Sequence, residues 1–507
     1  MIEPARQGRI SRWLEDSSST VFSCYAIMAA FSTYFCMYAF RKPFAAAEYE
    51  GLYYDFFGIE FGLKAAFAIS QIIGYALSKY LGCKYCAEID RRQHARMLVI
   101  LILFAELALL GFAALPNKLK VIAIFFNGLP LGMVWGLVSR YLEGRKTAEL
   151  LFAGLSCSYI LASSSVKTVG GWVMEAGVSE FWMPAATGAL FLLPFITAVY
   201  FLNQLPLPND EDEASRNKRT VMNRQDRLIF LKQFLLGMIM LLVLYFFLTA
   251  YRDFRDNYMP EVFSAMGYPP EPTLFSKADW PVAFGIMVVM ALLGLVKNHR
   301  RGVMVVFAVM MSGMLLMAGA TLLKEVGALH GFSGEDVTFN DGDHTYTIRE
   351  ENGNKTFSIH RNTKEVVVDN ALWHTLNDMH EDSQQKLRQL DSRASGGLWW
   401  MILIGFGAYL AYVPFGAVLF ERIMASTRAA GTAVFAIYLC DALGYTGSVG
   451  IQLYKELGTP DLNYYEFLQL FTYFVAAIGT ILFILSAIYF FRQPAADRLT
   501  EDLPETS

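Results

Sequence analysis

The sequence predicts an all-α polytopic membrane protein: twelve transmembrane helices in two six-helix bundles, with a small α+β insertion outside the membrane. Three observations carry this. The chain of 507 residues is 55% hydrophobic and only 17% charged, with a mean hydropathy of +0.36, which a soluble domain of this size does not need. Twelve apolar runs fall six on each side of a charged stretch. Arginines sit at corresponding places in the two halves.

The first six runs lie near 20–40, 59–81, 96–115, 119–140, 148–169 and 183–203. The last six lie near 231–252, 280–296, 302–323, 397–420, 429–452 and 466–491. Between them "PLPNDEDEASRNKRTVMNRQDR" is charged and has no apolar periodicity, so it reads as a linker. The predicted units are 1–203 (first bundle), 204–230 (cytoplasmic linker) and 231–507 (second bundle), with 324–396 inserted between spans 9 and 10. The polar N-terminus lacks the short apolar core of a signal peptide. Six cysteines show no disulfide framework, and the lone "CKYC" has no second ligand pair, so no metal or cofactor is expected. A net charge of −4 gives no reason to expect a nucleic-acid partner.

Lysine and arginine set the orientation. With the N-terminus inside, the inner segments hold 24 of them and the short outer segments nine. The expectation is a multi-pass protein of the cell (inner) membrane with both termini cytoplasmic.

The halves read as parallel repeats. Arg41 and Arg252 end spans 1 and 7 at an offset of 211, and Arg140 and Arg422 follow spans 4 and 10 at an offset of 282. The difference of 71 is about the size of the insertion. Parallel six-span halves are the arrangement of the major facilitator fold, whose site lies between the halves near mid-membrane. Within the insertion, 336–369 shows alternating strands split by Asp-Gly and Asn-Gly turns, a β-meander. An amphipathic helix is expected over 370–393. No ligand spacing appears among its histidines.

The chemistry concentrates at span ends. In "YFCMYAFRKPF" (34–44), Tyr34, Tyr38 and Arg41 are spaced i, i+4, i+7 on one helix face, while Lys42 is about 100° round and is expected at the rim. Span 2 adds Tyr75 and Lys79 in "GYALSKYLG", and span 7 adds Arg252 in "LTAYRDFRDNYMP". A cation at the centre of a lipid-facing helix costs roughly 2.5–3.5 kcal/mol, so such residues face an aqueous cavity. Three cations with tyrosine hydroxyls between two bundles make an anion site, and arginine grips phosphate or carboxylate bidentately.

On these residues the chain resembles the organophosphate:phosphate antiporters of the major facilitator superfamily, the glycerol-3-phosphate and hexose-phosphate transporters among them. The Arg-Lys-x-Phe after a tyrosine-rich first helix is matched by "YFCMYAFRKPF". Tyr-x-x-Ser-Lys is matched by "YALSK", the seventh-helix arginine by Arg252, and Tyr-x-Pro by "YVP" at Tyr412. "RAAGTA" (428–433) is close to Lys-Ala-Ala-Gly-Thr-Ala, and "GYTG" at Tyr445 resembles Gly-Tyr-x-Gly. The resemblance covers most of the chain apart from 324–396. It implies that Arg41 and Arg252 hold a phosphate, with Lys79, Tyr34, Tyr38, Tyr75, Tyr412 and Tyr445 around it. It further implies exchange of a phosphate ester for inorganic phosphate through alternating access. The chain departs from that family at three places. It lacks the fifth-helix histidine, with Lys167 the only cation there. It has a degraded loop, "GCKYCAEIDRRQHAR". It carries Asp441 where the family is apolar. Asp441 and Lys167 are therefore candidate coupling residues.

Two other readings stay open on the residues alone. One is a proton-coupled organic-anion carrier with Asp441 as the protonating group. The other is a non-transporting sugar-phosphate sensor whose outer insertion contacts a protein partner. No nucleophile–base pair or nucleotide loop is visible, so the chain is not read as an enzyme. The orientation is tested by Ser383→Cys in a background without other reactive cysteines. It is expected to react with an impermeant thiol reagent added to intact cells. Labelling that needs permeabilisation overturns the orientation.

Overall fold

The computed structural model describes residues 9–56, 58–88, 91–143, 145, 147–207, 234–268, 271–296, 298–326, 328–329, 337–341, 344–351, 354–361, 364–368, 396–427, 433–459 and 461–492. Twelve helices of 18 residues or more occur among them. The first half holds α1 (Ser19–Tyr38), α2 (Leu63–Glu88), α3 (Arg91–Ala114), α4 (Asn117–Leu142), α5 (Ala148–Glu175) and α6 (Met183–Leu202). The second holds α7 (Leu235–Asn257), α8 (Thr273–Gly294), α9 (His299–Glu325), α10 (Gly397–Pro414), α11 (Ala433–Leu453) and α12 (Tyr464–Arg492). Ten of the twelve are long and apolar enough to cross a membrane. The other two, α2 and α11, pack on each other across the boundary between the halves, as do α5 and α8.

Local chemistry sets the ends. Ser18 caps α1 by accepting from the Val21 amide, and Asn298 caps α9 by accepting from Arg301. Pro43 follows α1 and opens a single 3-10 turn, Pro43–Ala46, since a proline cannot continue the hydrogen-bond ladder. Two helices change their hydrogen-bond pattern locally. After Pro414, α10 passes through a π turn, Phe415–Leu419, into Phe420–Thr427. After α11 a second π turn spans Tyr454–Gly458. Such bulges re-aim the side chains on either side of them.

Small residues let α2 and α4 come together. A Cβ on Gly74 would sit 2.2 Å from the Phe125 carbonyl oxygen, and one on Gly128 would sit 2.2 Å from that of Gln71. Membrane helices pack closely by this means because lipid supplies no hydrophobic drive between them. The approach brings Gln71 and Asn127 into hydrogen-bond contact at 2.7 Å. They then donate to the carbonyls of Arg41 (2.9 Å) and Phe40 (2.9 Å), fixing the chain just past the end of α1.

Three differences from the sequence reading have physical causes. A hairpin, β1 (Tyr53–Phe56) with β2 (Ile59–Gly62), precedes α2 where no strand is expected. Its turn holds Gly58 at φ +83°, and Gly58 N–H donates to Asp55 at 2.8 Å. α8 starts at Thr273 rather than 280, because Pro281 sits inside it without ending it. α7 runs on to Asn257, so Arg252 lies within its helix, whereas Arg41 lies beyond the end of α1. The two arginines are therefore not equivalent.

The insertion contains the expected meander, an antiparallel sheet β3 (Val337–Asp341), β4 (His344–Glu351), β5 (Asn354–Arg361) and β6 (Lys364–Val368). Val337 faces Ile348, His344 faces Arg361 and Phe357 faces Val368. The expected helix over 370–393 and the linker 208–233 lie outside the described residues. The two ends of the insertion meet: Gly396, at φ +70°, packs so closely on Leu329 that a Cβ would lie 2.2 Å from its carbonyl oxygen. Because the ends adjoin, replacing 330–395 with a short Gly-Ser linker is expected to leave a monodisperse membrane core. Aggregation of that deletion in detergent would make the insertion part of the core fold.

Candidate functional site

A cavity of about 110 Å³ lies between the bundles. The first half lines it with Tyr34, Tyr38, Tyr75, Lys79, Trp135 and Tyr159, and the second with Tyr245, Arg252, Tyr412, Asp441 and Tyr445. It widens toward the face on which α1 begins, here the near face, past Ser139, Glu143, Ser156, Gly416 and Glu421. Glu143 is partly exposed there and pairs with Arg140 at 3.7 Å.

The structure brings together most of the residues that the sequence singled out. Arg252 lies 4.3 Å from the centre of the Tyr412 ring and bonds Asp253 at 2.7 Å. Lys79 is paired with Asp441 at 2.6 Å, and Tyr75 meets Tyr445 edge-on at 5.0 Å. Tyr34 packs on Tyr38 at 5.6 Å and on Trp135 at 4.9 Å. Arg41 does not line the cavity. Its guanidinium stacks on the Tyr75 ring at 3.9 Å, one layer further from the near face. Arg41 is 4% exposed. Its Nε has no hydrogen-bond partner, and among the described residues its guanidinium makes no ion pair.

Lys42 is not at the rim. It is 4% exposed, pairs with Asp256 at 2.5 Å and donates to Asn257 at 2.7 Å. Lys167 reaches the same carboxylate at 2.8 Å, and Ser163 donates to it at 2.6 Å. The reason is tertiary: α1 has ended, and α7 presents Asp256 to the turn that follows. Lys167 thus joins this triad instead of lining the cavity.

Charge is divided between the halves. Every ion pair across the boundary among the described residues, Lys42–Asp256, Lys167–Asp256, Lys79–Asp441 and Lys64–Glu261, takes its cation from the first half and its acid from the second. Lys64–Glu261 lies at the far face, where Gly62 N–H also donates to Glu456 at 3.2 Å. Nearby, Trp280 donates to Ser165 at 3.1 Å. The far side is therefore latched and the near side open. Beyond the latch a second cavity, about 460 Å³, is lined by Glu48, Glu50, Glu175, Glu180 and Glu271. Burial raises the carboxyls of Glu48 and Glu180 above the ordinary range.

In the central cluster Arg41, Lys42, Lys79, Lys167 and Arg252 face Asp253, Asp256 and Asp441. Five cations against three carboxylates leave a surplus of two positive charges. Buried charges that stay unpaired are costly in membrane interiors and mark ligand sites.

Sequence reasoning missed Asp253, Tyr159 and Tyr245, and it offers Asp256 only as an i+4 partner of Arg252, whereas Arg252 pairs with Asp253 and Asp256 with Lys42 and Lys167. The carboxylates stand in "YRDFRDNYMP" beside Arg252, so their proximity to a charged span end was a usable signal. Which cation each would meet was not.

The fold is the major facilitator fold. The backbone is similar to a D-xylose–proton symporter (TM-score 0.52, 12% identity, 94% of this chain and 98% of that one). It is similar to a bacterial homologue of the human drug peptide transporters PepT1 and PepT2 (TM-score 0.53, 10% identity, 93% and 99%). It is also similar to the nucleoside transporter NupG (TM-score 0.50, 12% identity, 93% and 99%). The chain belongs to a family of unknown function (DUF5690), which matches residues 43–334 and 386–493. No curated protein matches it in sequence.

The triad makes a ranked prediction. Asp256→Asn strands two buried cations, whereas Lys42→Gln leaves Asp256 its pair with Lys167. Breaking a buried pair costs about 3–5 kcal/mol. Asp256→Asn is thus expected to lower the melting temperature in detergent more than Lys42→Gln, and to raise labelling of far-face cysteines. Equal or reversed effects would show that Asp256 does not hold both lysines.

Proposed function

We propose that the protein is a secondary transporter of a phosphorylated organic anion, working by alternating access and exchanging it for inorganic phosphate. The surplus of two positive charges, with Arg41 buried and unpaired, carries this reading. A phosphate group brings about −1.5 to −2 at neutral pH, which balances that surplus. The cavity volume of about 110 Å³ suits a phosphate-sized head group. An ester's organic part then extends toward Ser139, Ser156 and Gly416 at the mouth. The shared fold with carriers and the resemblance of "YFCMYAFRKPF" and "YALSK" to organophosphate antiporters support the same assignment.

In this mechanism the near face is cytoplasmic, as the lysine and arginine bias indicates. An anion entering there meets Arg252 first. Tyr75 swings from Arg41, which then takes phosphate oxygens as a planar fork. The dianion bridges Arg41 of one bundle to Arg252 of the other. At an effective dielectric of 20, each such contact near 4 Å is worth roughly 4 kcal/mol before desolvation. Bridging draws the near side closed while the far-face pairs separate. A positive site that closes readily only around an anion favours exchange.

The test is uptake of labelled phosphate by proteoliposomes preloaded with phosphate or sugar phosphates. Arg41→Lys and Arg252→Lys keep charge but lose the fork, and each is expected to reduce exchange about tenfold or more, a loss of roughly 1.4 kcal/mol or more. Binding without flux would favour a sensor. Full activity of both variants would remove the arginines from the site.

A further inference from the structure

We propose that Asp441 is a built-in competitor for the substrate anion, so that each phosphate taking Lys79 brings a proton onto Asp441. This gives the carrier a second mode, net anion–proton movement, beside exchange. The inference rests on the anion-transporter reading above.

The geometry is specific. Asp441 lies on α11 in the second half, and its Oδ2 holds Lys79 Nζ of the first half at 2.6 Å. Its Oδ1 accepts from Tyr245 of α7 at 2.7 Å, and the Tyr245 hydroxyl lies 2.9 Å from that of Tyr412 on α10. Both carboxylate oxygens are engaged, and Asp441 is 8% exposed. Asp441 and Lys79 both line the cavity. A phosphate drawn to Lys79 meets the protein's own carboxylate on the same ammonium, so the two anions compete for one positive charge.

Once Lys79 has turned to a phosphate oxygen, Asp441 keeps only Tyr245. The other titratable groups around it are Tyr75 on α2, Tyr159 on α5, Tyr412 on α10 and Cys440 and Tyr445 on its own helix. Glu421 lines the same cavity, and the remaining cation there, Arg252, is held by Asp253. No second cation replaces Lys79 among these. An ionised carboxylate beside a dianion in a poorly hydrated site is repelled, and a proton from the near-face water removes that charge. The balance is plain: the Lys79–Asp441 contact breaks, a Lys79–phosphate contact forms, and one proton passes from water to an Asp441 oxygen. When the anion leaves, Asp441 returns the proton and re-forms the bridge. That bridge offsets part of the site's positive charge without an anion, so the unloaded carrier crosses slowly, and a minor net movement accompanies the dominant exchange.

The probe is inorganic phosphate binding to the purified full-length protein, measured by calorimetry in buffers of different ionisation enthalpy. Wild type is expected to take up about one proton per phosphate beyond the phosphate's own titration. In proteoliposomes a proton gradient should drive net phosphate accumulation. Asp441→Asn should abolish the proton uptake and the gradient-driven accumulation. It should also tighten phosphate binding about tenfold, since Lys79 is no longer occupied by a competitor. Asp441→Glu should restore proton uptake. Lys79→Gln with Asp441→Asn strands no charge, serves as the folded control, and should bind phosphate weakly without proton uptake. Wild-type binding with no proton linkage, or unchanged linkage in Asp441→Asn, overturns the competitor role and leaves the exchanger intact. Absence of binding and flux for every phosphate ester tested overturns the transporter reading itself.

Discussion

A cluster of four buried cations and the half-buried Arg252, at the boundary between two apolar bundles, is the constraint around which this molecule is organised. Each is expensive to hold in a membrane interior unless a carboxylate or a ligand answers it. The first half supplies Arg41, Lys42, Lys79 and Lys167. The second supplies Asp253, Asp256 and Asp441, together with Arg252. Neither bundle can neutralise itself, so the two are complementary by charge as well as by shape. Asp256 is the hinge of this arrangement because it answers Lys42 and Lys167 together.

The apolar packing serves that constraint. Gly74 and Gly128 bring α2 and α4 close enough for Gln71 and Asn127 to meet, and these amides hold the Phe40–Arg41 backbone. That hold places Arg41 over Tyr75, and Lys42 against α7. On the other side, the π turn after Pro414 follows directly on Tyr412, which faces Arg252. One helix irregularity thus falls at the site, where backbone re-aiming is useful, and a second falls by the far-face contact of Glu456.

Polar contacts across the boundary are graded along its depth. The far face is held by Lys64–Glu261 and Gly62–Glu456, the middle by the Asp256 triad, and the cavity by Lys79–Asp441. Exposed ion pairs of this kind would contribute little, but buried ones are lost only at considerable cost. Opening the far side requires that several break together. On the proposed mechanism an anion that draws the near side shut supplies the compensating contacts. The acidic far-face cavity sits beyond these latches, separate from the cationic cluster.

Apolar runs and their pairing into repeats were legible because a span must satisfy its backbone internally and so declares itself as a long hydrophobic stretch. The meander was legible from its Asp-Gly and Asn-Gly turns. Tyr34, Tyr38, Tyr75, Lys79 and Arg252 were picked out because charges and hydroxyls stand out against apolar helices, whereas Tyr412, Tyr445 and Asp441 came from the comparison with organophosphate antiporters. Their partners were not legible. Lys42 reads as a rim residue from helix geometry, yet it is buried because α1 ends at Tyr38 and α7 brings Asp256 to it. Arg41 reads as the equal of Arg252, yet it sits behind Tyr75 because α7 extends past its arginine and α1 stops short. Sequence determined which charged and hydroxyl groups each span or span end carries. Tertiary structure alone decided which charge meets which, because an ion pair forms across 2.5–3 Å between helices separated by up to 362 residues of chain, and no local pattern records that distance.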